Sequence, residues 1–229
     1  MPRRLYLVRH GETESNRLKI IQGQNKRQSS NLDTYGDPLN FNGVKQAILL
    51  GKALANINFQ FTYTSPSARA FNTAKIVLFH NYYWYETFVG KILPKIEDGL
   101  LEVDQGLFEG MRADEIPAQY PALYELYRTE PSQFAFPQGE SMIEFKERIG
   151  QTIDQILQNK FSEENILVAS HGGAIAMAFI HIFGLDMNRM YHAIRHHNCA
   201  YSIIEWPSPN SSPRIECLNN TSHLYGIYL

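Results

Sequence analysis

Two histidines stand at equivalent places in the chain, each just after an apolar run and just before a glycine. Residues 5–8 are apolar and precede Arg9 and His10, and the apolar residues 166–169 are followed, after one serine, by His171. Buried parallel strands read as continuous apolar runs, and open α/β sheets bind ligands beyond the carboxyl ends of such strands. The pattern therefore predicts that all three polar residues meet at one edge of a sheet.

A second arginine is predicted at the same edge. Ser65 and Pro66 are typical of an N-cap and a first helical residue, which puts Arg69 in the first turn of a helix. Helix N-termini behind Gly11 and Gly172 would add partial positive charge, and glycine lets backbone amides approach an anion. Because arginine forks match phosphate oxygens and keep their proton, we expect this pocket to bind a phosphoryl group.

Two further groups complete the expected chemistry. A neutral imidazole directed at phosphorus is a nucleophile that can accept the phosphoryl group covalently. The leaving oxygen then needs a proton, which calls for a nearby carboxylic acid. Glu102, Asp104 and Glu109 are all candidates, and the residue pattern alone does not choose among them.

Alternating strand and helix patterns predict the elements that position these residues. Strands are expected at residues 5–8, 59–64, 92–96 and 165–170, and helices after Asn42 as N-cap, from residue 65 to about 79, after a Ser141–Glu144 capping box to about 159, and after His171. The fold class expected is α/β, a three-layer α/β/α sandwich with a mostly parallel sheet.

The expected domain organisation is one domain, residues 1–229, with a small helical cap insertion at about residues 106–138. Tyr120, Tyr124 and Tyr127 recur there at helical spacing, which favours core packing over ligand stacking. Residues 24–37 are predicted to form a mobile surface loop. The aromatic residues 80–95 are predicted to cover the core or to face a partner.

Composition limits the classes of function. The net charge is −2, so nothing draws the whole chain to nucleic acid or to an anionic membrane. Two cysteines are too few for a disulfide framework or a zinc site, and no signal-peptide core or membrane-length apolar stretch occurs. We therefore expect a cytoplasmic protein whose partner is a small phosphorylated metabolite. A homodimer is the default oligomer, because dimers are the commonest soluble assembly.

The residues together resemble the histidine phosphatase superfamily, also called phosphoglycerate mutase-like, over nearly the whole chain. The motifs that carry the resemblance are Arg9-His10-Gly11-Glu12-Thr13, Asn16 with Gln22-Gly23, Asp37-Pro38-Leu39, Ser65-Pro66-Ser67-Ala68-Arg69-Ala70, Leu101-Glu102 through Gly106, Gly139-Glu140-Ser141, Ser170-His171-Gly172-Gly173, Asn198-Cys199-Ala200 and Thr221-Ser222-His223-Leu224. Each motif is weak alone, and their joint order is specific.

The resemblance implies roles for named residues. His10 would accept the phosphoryl group, and Glu102 would protonate the leaving group and then activate water. The residues that would hold the transferring oxygens are Arg9, Arg69 and His171, assisted by Asn16, with Gln22, Gly23 and Gly172 as further substrate-binding positions. No cofactor or metal is required by this scheme. A metal site at His192, His196 and His197 is the competing interpretation, and it lacks an accompanying carboxylate motif.

Within the family the sequence favours hydrolysis. Glycolytic mutases follow the acid with Arg-His-Tyr-Gly, whereas this chain has Val103-Asp104-Gln105-Gly106. The acidic Asp104 would repel the second phosphate of a bisphosphate intermediate. Phosphoglycerate mutase, sugar-bisphosphatase, α-ribazole phosphatase and protein phosphatase activities stay open, as does a non-catalytic module that binds phosphorylated ligands.

The chain departs from the family pattern in two places. The connection between Gly23 and Pro38 is longer than is usual, which leaves substrate choice open. Gln138 also stands where a second glycine is common, and we expect that change to matter little.

Overall fold

A computed structural model of the chain describes residues 3–24, 35–81, 93–158, 164–208 and 211–226. Its strands are β1 (Arg3–Arg9), β2 (Phe61–Thr64), β3 (Lys95–Ile96), β4 (Asn165–Ser170), β5 (Tyr201–Trp206) and β6 (Arg214–Asn220). Its α-helices are α1 (Glu14–Leu18), α2 (Phe41–Ala53), α3 (Ala68–Phe79), α4 (Ile116–Gln119), α5 (Pro121–Thr129), α6 (Met142–Gln158), α7 (Gly172–Phe183) and α8 (Met187–Met190).

The described strands form one sheet in the order β3-β2-β4-β1-β5-β6. The three pairings among β3, β2, β4 and β1 are parallel, whereas β5 and β6 add two antiparallel pairings at the other side. The sheet is thus mixed, and its mostly parallel character is confirmed. Because β1 and β4 are parallel neighbours with Arg9 opposite Ser170, the residues that follow them, His10 and His171, leave the sheet side by side.

Side chains of the central strands alternate between two apolar cores, one on each face of the sheet. Tyr6 and Val8 face the core shared with α2 and α3, whereas Leu5 and Leu7 face the core shared with α6 and α7. Both faces are buried, so β1 reads as a continuous apolar run rather than an alternating one. The predicted three-layer α/β architecture is confirmed.

Two of the predicted helix starts are wrong. The N-cap of α2 is Asn40, whose side chain accepts from Gly43 N–H at 2.8 Å, and not Asn42. Helix α3 begins at Ala68 rather than at Pro66. Ser65 still donates its N–H to Ala169 of β4 at 3.0 Å, so the chain continues along the sheet edge before it turns into the helix. Arg69 nevertheless stays in the first turn.

Of the other local predictions, some are confirmed, one is wrong and some are not tested. The capping box of α6 is confirmed, since Ser141 and Glu144 exchange side-chain to backbone hydrogen bonds at 2.9 and 3.2 Å. Tyr120 and Tyr127 pack against the core as predicted, whereas Tyr124 is 37% exposed and does not. Most of the predicted loop at 24–37 and of the aromatic segment at 80–95 lies outside the described residues. Residues 106–138 contain α4, α5 and short 3-10 turns, and the one-domain organisation with a cap stays a prediction.

Candidate active site

His10 is buried and held in one tautomer. Its side chain follows β1, is 3% exposed, and its Nδ1 lies 2.8 Å from the backbone oxygen of Gly11. A carbonyl oxygen only accepts, so Nδ1 carries the proton and Nε2 keeps its lone pair. Burial, reinforced by the charges of Arg69 and Arg9, holds the pKa of His10 well below its usual value. The imidazole is therefore neutral and has the electronic state of a nucleophile.

His171 lies beside His10 at the end of the neighbouring strand. The two rings are 5.3 Å apart between centroids, and His171 Nε2 forms a 2.8 Å hydrogen bond with the hydroxyl of Ser65. The opposite nitrogen, Nδ1, is buried and has no hydrogen-bond partner. Burial, and next the charge of Arg69, hold the pKa of His171 well below its usual value.

Two arginines bring positive charge to the two histidines. Arg69 is 1% exposed and donates from Nη2 to the backbone oxygen of Gly23 at 2.8 Å, while its Nε and Nη1 are buried without partners. Burial lowers the pKa of Arg69 to about 10, so the guanidinium keeps its charge at neutral pH. Arg9 donates from Nη1 to the backbone oxygen of His196 at 2.6 Å. Buried, unpartnered donors on a cation are costly, and a bound oxyanion would satisfy them.

Asn16 and Gln22 form a hydrogen-bonded group beside His10. Asn16 Nδ2 donates to Gln22 Oε1 at 3.3 Å, and Gln22 Nε2 donates to Thr13 Oγ1 at 2.9 Å. Asn198 closes the group by donating to Asn16 Oδ1 and to the backbone oxygen of His10, each at 3.1 Å. The two predicted binding positions are thus brought together, and Asn198 fixes the backbone that bears His10.

The side chain of Arg9 lies over Gly172, the first residue of α7. A Cβ built on Gly172 would have Arg9 Nε as its nearest neighbour, at 3.6 Å. The guanidinium therefore lies over the N-terminal turn of this helix, where backbone N–H groups favour an anion. His171, the N-cap residue of α7, stands at the same turn.

The three candidate acids have different surroundings, which favour Glu102. Its Oε2 accepts from Gly173 N–H at 3.0 Å and its Oε1 accepts from Val103 N–H at 3.1 Å, so the carboxylate lies at the first turn of α7. Asp104 instead accepts from Gly106 N–H at 3.0 Å. Glu109 accepts from Gln24 N–H at 2.9 Å and from Gln105 N–H. Asp104 thus stabilises the turn that follows it, whereas Glu109 joins this loop to the Gly23–Gln24 segment, whose Gly23 oxygen accepts from Arg69.

The structure places at the site a residue that sequence reasoning did not identify. This residue is Tyr191: a Cβ on Gly173 would lie 2.5 Å from Glu102 Oε1 and 2.8 Å from the Tyr191 hydroxyl. Burial raises the pKa of Tyr191 well above its usual value and that of Tyr127 to about 12, so both hydroxyls keep their protons. No sequence signal marks Tyr191, because it reaches the acid from another part of the chain.

The structure separates the histidines of the competing metal interpretation. His192 Nε2 bonds to the backbone oxygen of Tyr127 at 2.8 Å, and His196 Nε2 bonds to Ser202 Oγ at 2.6 Å. Within the ranges that the structure describes, no group of three or more His, Cys, Asp or Glu side chains is arranged to hold a metal ion. No helix in the same ranges is long and apolar enough to cross a membrane.

The assembled geometry suits transfer of a phosphoryl group. A neutral imidazole with a free lone pair, two guanidinium groups and a second imidazole surround one location, and a carboxyl group stands at its side. The cations would stabilise charge on the transferring oxygens, and the carboxyl group would exchange a proton with the leaving or attacking oxygen.

Comparison with known proteins gives a consistent result. Residues 5–221 match the model of the histidine phosphatase superfamily (branch 1). The chain is 28% identical to phosphoserine phosphatase 1 of Hydrogenobacter thermophilus, over 99% of this chain and 96% of that protein. It is 26% identical to a protein of Erwinia tasmaniensis named probable phosphoglycerate mutase GpmB, over 96% and 94% of the two chains. Among solved structures, Bacillus stearothermophilus YhfR superposes with a TM-score of 0.79 at 25% identity, over 97% of this chain and 99% of that one.

Proposed function

Because the chain belongs to the histidine phosphatase superfamily (branch 1) and its likeness to a phosphoserine phosphatase supports a phosphatase enzyme, we propose that it hydrolyses small phosphate monoesters through a phosphohistidine on His10, without a metal ion. The observation that carries the proposal is the hydrogen bond from His10 Nδ1 to Gly11, with burial that lowers the pKa of the ring. It leaves Nε2 unprotonated and ready to attack.

In the first step, His10 Nε2 forms a bond to phosphorus while the bond from phosphorus to the ester oxygen breaks. The charges of Arg9 and Arg69 stabilise the equatorial oxygens in the transition state, and these charges replace those that a metal ion would supply. The leaving oxygen takes a proton from the Glu102 carboxyl group, which becomes a carboxylate. Alcohol and phosphoenzyme are the products of this step.

In the second step, a water oxygen attacks phosphorus and the bond from phosphorus to Nε2 breaks. The Glu102 carboxylate accepts a proton from the water, so that the acid of the first step acts as the base of the second. Inorganic phosphate leaves, His10 returns to its neutral form, and Glu102 regains the proton that it gave to the alcohol.

Asp104 supports hydrolysis over transfer of phosphate within a bisphosphate. It follows the acid at a position where the mutases carry cations, and its negative charge would repel a second phosphate. The two curated relatives bear the names of a phosphoserine phosphatase and a probable phosphoglycerate mutase, so both substrates belong in a test panel. Phosphoglycerate mutase and sugar-bisphosphatase activities remain the alternatives within the enzyme class.

A non-catalytic module that binds phosphorylated ligands is the alternative of another class. Such a module has no need of a nucleophile or of an acid, yet this chain retains His10, Glu102 and His171 together. We further propose a cytoplasmic location, a small phosphorylated metabolite as the partner, and a homodimer.

The test is phosphate release from a panel that contains phosphoserine, 3-phosphoglycerate, sugar phosphates, bisphosphates and an aryl phosphate, with a chelator present. Wild type is compared with His10→Ala and with the matched control His181→Ala, which removes a surface histidine paired with Asp154. We expect release that survives chelator, is retained in the control and is abolished in His10→Ala, since only that change removes the nucleophile. Turnover by folded His10→Ala would refute the mechanism, and loss with chelator would refute metal independence.

A further inference from the structure

Arg148, on α6, binds the segment that carries Glu102. Its Nη1 donates to the backbone oxygens of Gly99 and Leu101 at 2.9 and 3.0 Å, and its Nη2 donates to the backbone oxygen of Glu102 itself at 3.3 Å. One side chain thus satisfies three carbonyl groups within four consecutive residues. The guanidinium also stacks on Phe145, 5.1 Å from the ring centroid.

Glu140 contacts both Arg148 and the backbone that follows Glu102. Its carboxylate forms a bidentate ion pair with Arg148, at 2.8 Å to Nε and 2.7 Å to Nη2, and its Oε2 accepts from Asp104 N–H at 3.2 Å. The backbone N–H of Glu140 donates to the oxygen of Asp104 at 2.9 Å. The side chain of Arg148 is only 24% exposed and that of Glu140 only 12%. Their ion pair is therefore stronger than one on the surface. Arg148 and Glu140 therefore hold the chain on both sides of Glu102.

The segment needs such support because it belongs to neither a strand nor a helix. Residues 101–105 lie between two 3-10 turns and have no ladder of backbone hydrogen bonds of their own. Besides Arg148, the side chain of Gln24 donates to the Glu102 oxygen, at 3.1 Å. A catalytic carboxyl group must stay within a fraction of an ångström of its working position, and polar contacts from a rigid helix provide that accuracy.

We propose that Arg148, with Glu140, is a positioning residue that holds the Glu102 carboxyl group where it can protonate the leaving oxygen. This inference rests on the proposed function, in which Glu102 is the acid. Arg148 acts through the backbone of residues 99–102, and its own charge is balanced by Glu140. Its Nε, Nη1 and Nη2 all donate to these partners, so we assign it no direct contact with the phosphoryl group.

The proposal predicts a dependence on the leaving group. An alkyl ester needs the proton from Glu102, whereas an activated aryl phosphate leaves without it. In Arg148→Met we expect kcat/KM for alkyl phosphates to fall by about 100-fold, the low end of general-acid contributions, and that for aryl phosphates to fall by no more than a few-fold. Arg148→Lys keeps the positive charge but lacks the planar guanidinium with its several donors. Its loss of kcat/KM for alkyl phosphates should therefore be intermediate.

Four further variants make the measurement decisive. Glu102→Gln sets the profile expected for a lost acid, and Arg128→Met removes an exposed arginine that pairs with Glu125 on α5, so it should match wild type. In the double variant Arg148→Met with Glu102→Gln, we expect no loss beyond that of Glu102→Gln alone, because the arginine works only through the acid. Glu140→Gln should likewise lower kcat/KM for alkyl phosphates more than for aryl phosphates. This variant tests the proposal if Arg148→Met does not fold.

An equal loss on alkyl and aryl esters, no loss on either, or an additive double variant would each overturn the role of Arg148. These outcomes differ from failure of the proposed function, in which wild type itself would give no release that depends on His10.

Discussion

At the scale of single residues, burial sets the charge of each functional group differently. The pKa of His10 and of His171 falls well below the usual value of 6.5, so both rings are neutral. The pKa of Arg69 falls to about 10, which leaves it charged. The same desolvation therefore produces a neutral imidazole beside a cation, because the two groups start from very different reference values.

Gly173 gives a prediction at this scale. A Cβ there would lie 2.5 Å from Glu102 Oε1, so Gly173→Ala should displace the carboxyl group from its place. We expect kcat/KM for alkyl phosphates to fall by about 100-fold and that for aryl phosphates to change little, with the thermal midpoint near that of wild type. Kinetics on both ester classes and a melting curve check this. Unchanged alkyl ester hydrolysis would mean that the acid is elsewhere.

At the scale of elements, the turn that leads into α6 carries a backbone cost. Gln138 has φ of +59°, in the left-handed region that glycine enters freely and glutamine does not. Glutamine in place of the glycine of the family pattern therefore has a cost, contrary to our expectation from the sequence, and its side chain is exposed. The turn is held by contacts between Gly139 N–H and the oxygen of Phe136 at 2.8 Å, which keep the unfavourable conformation in place.

Gln138→Gly should stabilise the protein. Removing the left-handed cost of about 1–2 kcal/mol outweighs the extra backbone entropy of glycine, so we expect the free energy of unfolding to rise by up to about 1 kcal/mol. The matched control is Gln155→Gly, an exposed glutamine inside α6, which should lower it by about 0.5–1 kcal/mol. Denaturant unfolding measures both. Destabilisation of the same size by both changes would contradict the explanation.

At the scale of the whole molecule, buried histidines couple stability to pH. His10, His171 and His196 are all less than 5% exposed, and burial lowers the pKa of each, that of His196 to about 4. The unfolded chain takes up protons on these side chains below about pH 6.5, whereas the folded protein does not. The contribution of these histidines to stability is thus fully present above that pH. It is lost progressively as the pH falls toward their lowered pKa values in the folded protein.

We expect the melting temperature to fall between pH 7 and pH 5. Each buried histidine contributes up to about 1.4 kcal/mol per pH unit in this range. His10→Gln removes one such group and should make the decline shallower. Melting curves in buffers without phosphate check this, since a bound anion would stabilise the pocket. A midpoint that stays constant from pH 7 to pH 5 would contradict the assigned protonation states.

The sequence by itself determined the central strands β1 and β4 and the positions of the two histidines after them, whereas the antiparallel strands β5 and β6 were not predicted. The apolar runs that end at Arg9-His10 and Ser170-His171 indicate buried strands without further information, because a strand buried on both faces needs apolar residues at every position. The capping box of α6 is equally local. The α/β pattern places both histidines at one edge of a mostly parallel sheet, whereas the pairing of β1 with β4, which makes them neighbours, is seen only in the structure.

Only the tertiary structure decided what depends on contacts between distant segments. It brought the Glu102 carboxyl group to the N–H of Gly173, which lies 71 residues further along the chain, and this contact supports Glu102 as the acid that the resemblance implies. It likewise supplied the contact of Arg148 with the acid segment. A charged residue on an amphipathic helix reads as solvated surface, and nothing in its neighbours along the chain indicates which carbonyl groups it will reach. Those partners are set by how α6 packs on the sheet, so no local pattern encodes them.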